Sequence, residues 1–311
     1  MKKIKDSFSL FLTGFLMGAA DIVPGVSGGT IAFIMGIYQE LLQTIKFLSG
    51  DFLKLILSGK IKKAFLEVPF KFIIPLSLGI FTAIFSLAKI ISYMLSEHPS
   101  YIWSFFFGLV VASVLIISRQ VKFWSFRKIF VFIFTTLFAF YIVGLVPVTT
   151  PNNLPFIFLS GAIAICAMIL PGISGSLLLV VMGKYEQVLG AVLDKNILVL
   201  SVFTIGAVVG LSLFSRLLGW LLKKYYNMTL VGLTGFMLGS LRKVWPWKEV
   251  VSYRINSKGL EVPLTEINIF PAFDIAFIYT IIFFILGILF ILYLSKVQSY
   301  KEKRETENAN G

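Results

Sequence analysis

The sequence predicts an all-α polytopic membrane protein built as an inverted-topology repeat. Each half is a re-entrant helix hairpin followed by three transmembrane helices. Three observations predict this. The composition suits lipid: of 311 residues, 58% are hydrophobic and 14% charged, with mean hydropathy +0.92. That is more apolar surface than a soluble domain of this size buries. Apolar runs near the roughly 20 residues that cross a bilayer core recur along the chain. A Pro-Gly-x-Ser-Gly motif occurs twice, at Pro24 to Gly28 and at Pro171 to Gly175, each time inside an apolar stretch.

The elements follow in order. The N-terminal stretch MKKIKDSFSLFLTGFLMGAA is basic, then apolar, then small, like a signal peptide. Its apolar pattern continues into "PGVSGG", which has a partner later in the chain, so it reads as part of the membrane domain. Residues 7–20 and 30–47 flank the first motif, and 156–170 and 176–193 flank the second. Pieces of about 14 to 18 residues make about 21–27 Å of helix, short for a crossing. Half-helices that enter, turn at the Pro-Gly break and leave by the same side fit better. Full-length apolar runs lie at 72–95, 100–118, 129–146, 197–222 and 272–295, and a shorter sixth span at 229–241 precedes "RKVWPWK". The first repeat is then 1–150, with a lysine-rich cytoplasmic loop at 46–71. The second is 151–296, with an external loop at 242–271, and a charged cytoplasmic tail fills 297–311.

Basic residues orient these spans. With both termini in the cytoplasm, cytoplasmic segments hold 19 of the 28 lysines and arginines, and "SEHPS" and "VPVTTPNNLP" outside hold none. This is the positive-inside pattern. The net charge of +13 is accounted for by anionic membrane lipids, with no nucleic acid required. A single cysteine, Cys166, excludes an internal disulfide and any multi-cysteine metal site. The lone His98 reads as a loop residue. No metal or cofactor is expected, and oligomeric state is left open.

The two motifs are copies 147 residues apart, and the match continues through Met35-Gly36 with Met182-Gly183, Tyr38 with Tyr185 and Leu42 with Leu189. Further on the offset is 127: Gly79 matches Gly206, Lys89 matches Arg216, Gly108 matches Gly235 and Ser113 matches Ser240. The difference is taken up by the lysine-rich segment, which the second half lacks. Three spans separate the motifs, and an odd number makes the second copy enter from the opposite side. Such folds place their substrate site at broken helices near the bilayer middle.

The motifs carry the candidate site. Pro24 and Pro171 lack an N–H and disfavour helix in the residue before them. Gly25, Gly28, Gly29, Gly172 and Gly175 permit left-handed backbone or close approach. A helix restarting after each break has unpaired N–H groups that favour an anion, and Ser27, Thr30, Ser174 and Ser176 add hydroxyl donors. The plain alternative is that small residues let membrane helices pack closely. Lys89 and Arg216 are each the only basic residue deep in an apolar span. Such a cation faces a partner or a wet cavity, unless it snorkels to the headgroups. Asp21 is the one carboxylate deep in an apolar segment before the first turn, where the second repeat has Met168. It reads as a turn cap or as a proton-coupling group. Glu40 and Glu186 read as solvated residues near the interface. Two cations with two sets of amides and hydroxyls suit a phosphate-bearing substrate with a lipid tail. No catalytic set is visible, so a membrane lipid phosphatase is the weaker alternative to a transporter or channel for some other anion. A structural or partner-binding membrane protein is a further alternative.

The stretches "ADIVPGVSGGTIAFIMGIYQELL", "LPGISGSLLLVVMGKYEQVL" and "GFMLGSLRKVWPWK" resemble the bacterial polyprenyl-phosphate transporter family, and the likeness covers about residues 7 to 295. The resemblance implies a flippase that returns undecaprenyl phosphate from the outer to the inner leaflet of the cytoplasmic membrane, for reuse in cell-envelope synthesis. It makes Pro24, Gly25, Ser27, Gly28, Gly29, Pro171, Gly172, Ser174 and Gly175 the family's paired motifs, with Asp21 and Arg242 inside the matching stretches.

Overall fold

The computed structural model describes residues 7–23, 27–145, 150–255 and 261–310. Pro24 and Gly25, together with Lys2, Lys3 and Lys5, lie outside the described residues. In chain order the elements are α1 (Ser7–Ile22), α2 (Gly28–Ile34), α3 (Tyr38–Lys46), a π-helical stretch Phe47–Phe52, α4 (Leu53–Leu57), α5 (Ile61–Glu67), α6 (Phe70–Glu97), α7 (Pro99–Gln120) and α8 (Phe126–Ile142). They continue with α9 (Leu154–Ile169), α10 (Gly175–Val181), α11 (Tyr185–Leu193), α12 (Ile197–Lys224), α13 (Tyr226–Ser240), β1 (Lys248–Ile255), β2 (Glu261–Asn268) and α14 (Ile275–Asn310). The chain is a multi-pass membrane protein. Among the described residues, four helices are long and apolar enough to cross a membrane, or up to five spans if the bent pair α10 and α11 counts as one.

Four helix pairs carry the packing: α1 with α6, α9 with α12, α7 with α14, and α13 with α8. The backbones approach closely at glycine. A Cβ on Gly14 or Gly79 would strike the Leu76 or Phe11 carbonyl, and one on Gly161 or Gly206 would strike the Phe203 or Phe158 carbonyl. These four contacts correspond pairwise at the two sequence offsets. Small residues let membrane helices gain dispersion contacts that lipid does not supply. Gly206→Val is therefore expected to destabilise the protein by about 1–3 kcal/mol, read as a lowered unfolding temperature in detergent. Gly219→Ala, with nothing near its Cβ position, should leave that temperature unchanged.

The structure refines three expectations. The first is the all-α class: the apolar segments are helical as expected, and the segment 242–271 adds a small antiparallel hairpin, β1 with β2. Exposure along Lys248 to Tyr253 alternates, with Glu249, Val251 and Tyr253 outward, the period of a half-buried strand. The second concerns the half-helices expected at 30–47 and 176–193, each of which is broken again. Met35-Gly36-Ile37 closes α2, with Ile37 N donating to Ala32 O (3.0 Å) and Gly36 N to Phe33 O (3.1 Å). Lys184 N to Leu179 O (2.8 Å) and Gly183 N to Val180 O (2.9 Å) repeat this at the end of α10. This is the Schellman termination, which needs a left-handed residue, and Gly36 (φ 63°) and Gly183 (φ 64°) supply it. In the second copy the following helix turns by 106°. The third concerns the lysine-rich segment 46–71, which is helical, with Leu57, Ile61, Phe65 and Leu66 exposed among its lysines.

Candidate functional site

Ser27, Thr30 and Tyr38 of the first copy meet the second copy at the end of α9, and hydrogen bonds join them there. Helix α9 ends at its Pro-Gly break with carbonyls that have no helical partner. Ser27 Oγ donates to Met168 O (3.2 Å) and Tyr38 Oη to Ile169 O (2.9 Å). In return Gly172 N donates to Thr30 Oγ1 (3.0 Å). Gly172 has φ +91°, and a Cβ there would press on Ser240 Oγ. Each broken helix thus finds acceptors and donors in the other copy.

The copies differ in their own capping. At the start of α2, Gly28 N donates to Asp21 Oδ1 (2.6 Å) and Gly29 N to Ser27 Oγ (3.1 Å), so a carboxylate and a hydroxyl occupy the first-turn amides. At the start of α10, Met168 stands where Asp21 would be. Ser174 makes no capping bond, and it shares a hydrogen bond of 2.8 Å with Ser176 instead. Packing differs as well. Six of the seven residues of α2 are buried, whereas only Val181 of α10 is.

Room beside α10 forms a cavity of about 350 Å³. Asp21 and Ser27 reach it from the first motif, and Ser174, Gly175 and Ser176 from the second; Met168, Phe203 and Ala207 contribute apolar wall. Gly28, Gly29, Thr30, Pro171 and Gly172 sit behind this wall and are buried. Ile173 is shared with a second, almost wholly apolar groove of about 460 Å³ between α8, α9, α12 and α13. A mostly apolar chamber carrying the polar side chains Asp21, Ser27, Ser174 and Ser176 therefore adjoins an apolar groove.

Lys89 and Arg216 do not line the chamber. Lys89 is exposed on α6, and Arg216 is exposed on α12 with its guanidinium against Gly50 of the π-helical stretch. Lys184, the third cation in an apolar stretch, is buried. Its ammonium donates to Thr150 O (3.1 Å), Pro151 O (2.8 Å) and Asn152 Oδ1 (2.7 Å), satisfying all three of its donors. These bonds tie the end of α10 to the chain just before α9. Sequence reasoning did not assign a role to Tyr38 or Lys184. The Tyr38/Tyr185 match marked Tyr38 as part of the repeat. Phe203 and Ala207 carried no signal, because nothing distinguishes them from other apolar positions of α12.

A family model described as undecaprenyl phosphate translocase-like matches residues 17–262. The chain is 47% identical over 269 residues to a polyprenyl-phosphate transporter of Vibrio cholerae serotype O1, covering 86% of this chain and 87% of that one. It is 29% identical over 259 residues to a polyprenyl-phosphate transporter of Staphylococcus aureus, covering 76% of this chain and 85% of that one. No solved structure matches it.

Proposed function

Since this chain belongs to the undecaprenyl phosphate translocase-like family, we propose that it moves undecaprenyl phosphate from the outer to the inner leaflet of the cytoplasmic membrane. The observation that carries this is the chamber lined by both motifs, joined at Ile173 to the apolar groove. A phosphate bare in hydrocarbon is prohibitively costly. Ser27, Ser174 and Ser176 stand where they replace water around it, and the groove or the lipid itself takes the prenyl tail. The reaction is transport, with no bond broken.

The architecture we propose behind it is an inverted-topology repeat of 1–150 and 151–296 with both termini cytoplasmic. Exchanging the repeats turns the pair α1/α6 into α9/α12 and the pair α7/α14 into α13/α8, which are the pairs that pack. The Lys184 bonds support re-entry in the second copy, since α10 returns to the level at which α9 begins. Inverted repeats work by exchanging the conformations of their halves. The buried α2 and the loosely held α10 then describe one of two states, the one open beside the second copy. The helical 46–71 segment, with apolar side chains exposed among lysines, suits the surface of an anionic leaflet.

Lys89 and Arg216 enter this scheme as end stations outside the chamber. Lys89 receives phosphate at the outer side, and Arg216, against the cytoplasmic segment at Gly50, holds it before release. Replacement by glutamine should slow exchange by about tenfold or more for each, the scale of a lost charge-assisted hydrogen bond. Lys89→Arg should keep most of the rate. Wild-type rates in both glutamine variants, at matched protein levels, would reduce the two cations to snorkelling residues.

The test of the function is reconstitution in liposomes with labelled undecaprenyl phosphate. Exchange between leaflets without phosphate release is the expected result. Phosphate release would point to an enzyme, and no exchange at all would overturn the proposal.

A further inference from the structure

Helix α10 has cavities on two sides. Ser174, Ser176 and Leu179 face the central chamber, while Leu177, Val180 and Val181 line a second cavity of about 410 Å³ beneath the β-hairpin. The polar wall of this second cavity is Arg242, Lys243, Lys248, Glu266, Thr265 and Asn268. Three cations face one carboxylate. Lys243 Nζ lies 3.1 Å from Glu266 Oε2, and Lys248 Nζ lies 3.5 Å from the same oxygen.

Two of the cations are held in unusual settings. The Lys248 side chain is 7% exposed, and its ammonium makes no hydrogen bond among the described residues. It sits 3.7 Å from the centre of the Trp103 ring. Arg242 lies over the Phe140 ring at 4.6 Å and, among the described residues, donates to Phe140 O at 3.0 Å. A buried ammonium whose one nearby acceptor is a carboxylate oxygen at 3.5 Å is under-satisfied and costly. Aromatic faces offset part of that cost and leave the charge available to a ligand.

We propose that this cavity is an outer binding site for the phosphate headgroup of a prenyl phosphate, where the substrate docks before α10 moves aside to admit it to the central chamber. The proposal rests on the transport function above. It adds a second subsite with its own residues, Arg242, Lys243 and Lys248, in a loop that the charge pattern places outside. A phosphate entering here meets an excess of two positive charges, and its oxygens add acceptors to the single Glu266 oxygen that lies near Lys248. The alternating hydrophobic and hydroxyl faces of α10 make it the partition between the docked and the internal positions.

Protonation offers a signature. Burial pushes the Lys248 ammonium down to about 8, with Lys243 adding to the fall and Glu266 opposing it. Burial alone would raise Glu266, but Lys248 and Lys243 hold its carboxyl below the usual range. Raising the pH from about 7 to about 9 therefore removes one charge from the cavity, that of Lys248. A bound phosphate favours the charged form, so its affinity falls over that window.

The experiment measures equilibrium binding of farnesyl phosphate to the full-length protein in detergent, with transport of undecaprenyl phosphate in liposomes alongside. Wild type should bind the probe. Lys248→Gln and Arg242→Gln should each weaken binding by about tenfold or more, and Lys248→Arg should restore binding and abolish the loss of affinity between about pH 7 and 9. Undecaprenyl phosphate should displace the probe, and inorganic phosphate should do so far less well if a lipid headgroup is the true ligand. Equal displacement by inorganic phosphate would reassign the site to free phosphate and overturn the docking role. Failure of wild type to bind, or unchanged affinity and pH dependence in folded glutamine variants, would overturn the site itself. Lys248-dependent binding in a protein that exchanges no lipid would sink the transport function and leave the cavity standing.

Discussion

Ser176→Trp is expected to stop leaflet exchange while leaving the protein folded. Ser176 is exposed on α10 and faces the chamber. An indole there grows into a volume of about 350 Å³ and displaces no core side chain. It removes one hydroxyl donor and takes the space a phosphate needs. The rate should drop by roughly a hundredfold or more, about 2.7 kcal/mol on the barrier. Ser176→Ala removes the hydroxyl and keeps the space, so it should lose about tenfold at most, the scale of one hydrogen bond to a charged group. Unfolding temperatures near that of wild type for both variants would show that the effect is on the path. Rapid exchange through the tryptophan variant would place the path elsewhere.

Asp21→Asn should separate the two roles that Asp21 combines. Its carboxylate accepts from Gly28 N and also opens into the chamber. Asparagine keeps an acceptor oxygen for Gly28, so the turn stays capped and the stability close to wild type. The charge is lost. A phosphate and a carboxylate repel each other in one small chamber, so they share it most readily when a proton intervenes. If that proton is part of the cycle, exchange by Asp21→Asn falls by about tenfold or more and no longer responds to pH. Asp21→Ala removes the cap as well and should also cost about 1 kcal/mol of stability, as lost caps do. Wild-type rate and pH dependence in Asp21→Asn would leave Asp21 a cap alone.

The repeat was legible because it is written in residues with few alternatives. Pro171, Gly172, Ser174 and Gly175 copy Pro24, Gly25, Ser27 and Gly28 because a break in a membrane helix needs those backbone properties, whichever copy it is in. The Schellman turns at Gly36 and Gly183 were present in the same match, as Met-Gly pairs. They were passed over because the surrounding residues remain apolar, and hydropathy does not register a turn that stays in the membrane. The hairpin of β1 and β2 was missed for a related reason. Its alternation, Lys248 to Tyr253, is interrupted by a register shift after Val250 and sits in a loop judged by its charge alone.

The sequence by itself determined the solvent, the repeat, the break points and the family. Composition, apolar run length and the residues a break requires are local properties, and local properties can be read along the chain. Only the tertiary structure decided which break is filled and which is open. Asp21 and Ser27 occupy the amides of α2, while Ser174 and Ser176 face a chamber, though the two motifs read almost alike. It also decided which cations gather. Lys89 and Arg216 stand out in sequence because they lie in apolar spans, yet they sit on the outside of their helices. Arg242, Lys243 and Lys248 look like an ordinary basic loop, yet the hairpin folds them over Trp103, Phe140 and Glu266 into one cavity. The reason is that the field at a charged group depends on what is packed around it, and those neighbours come from α7, α8 and β2, far away in the chain.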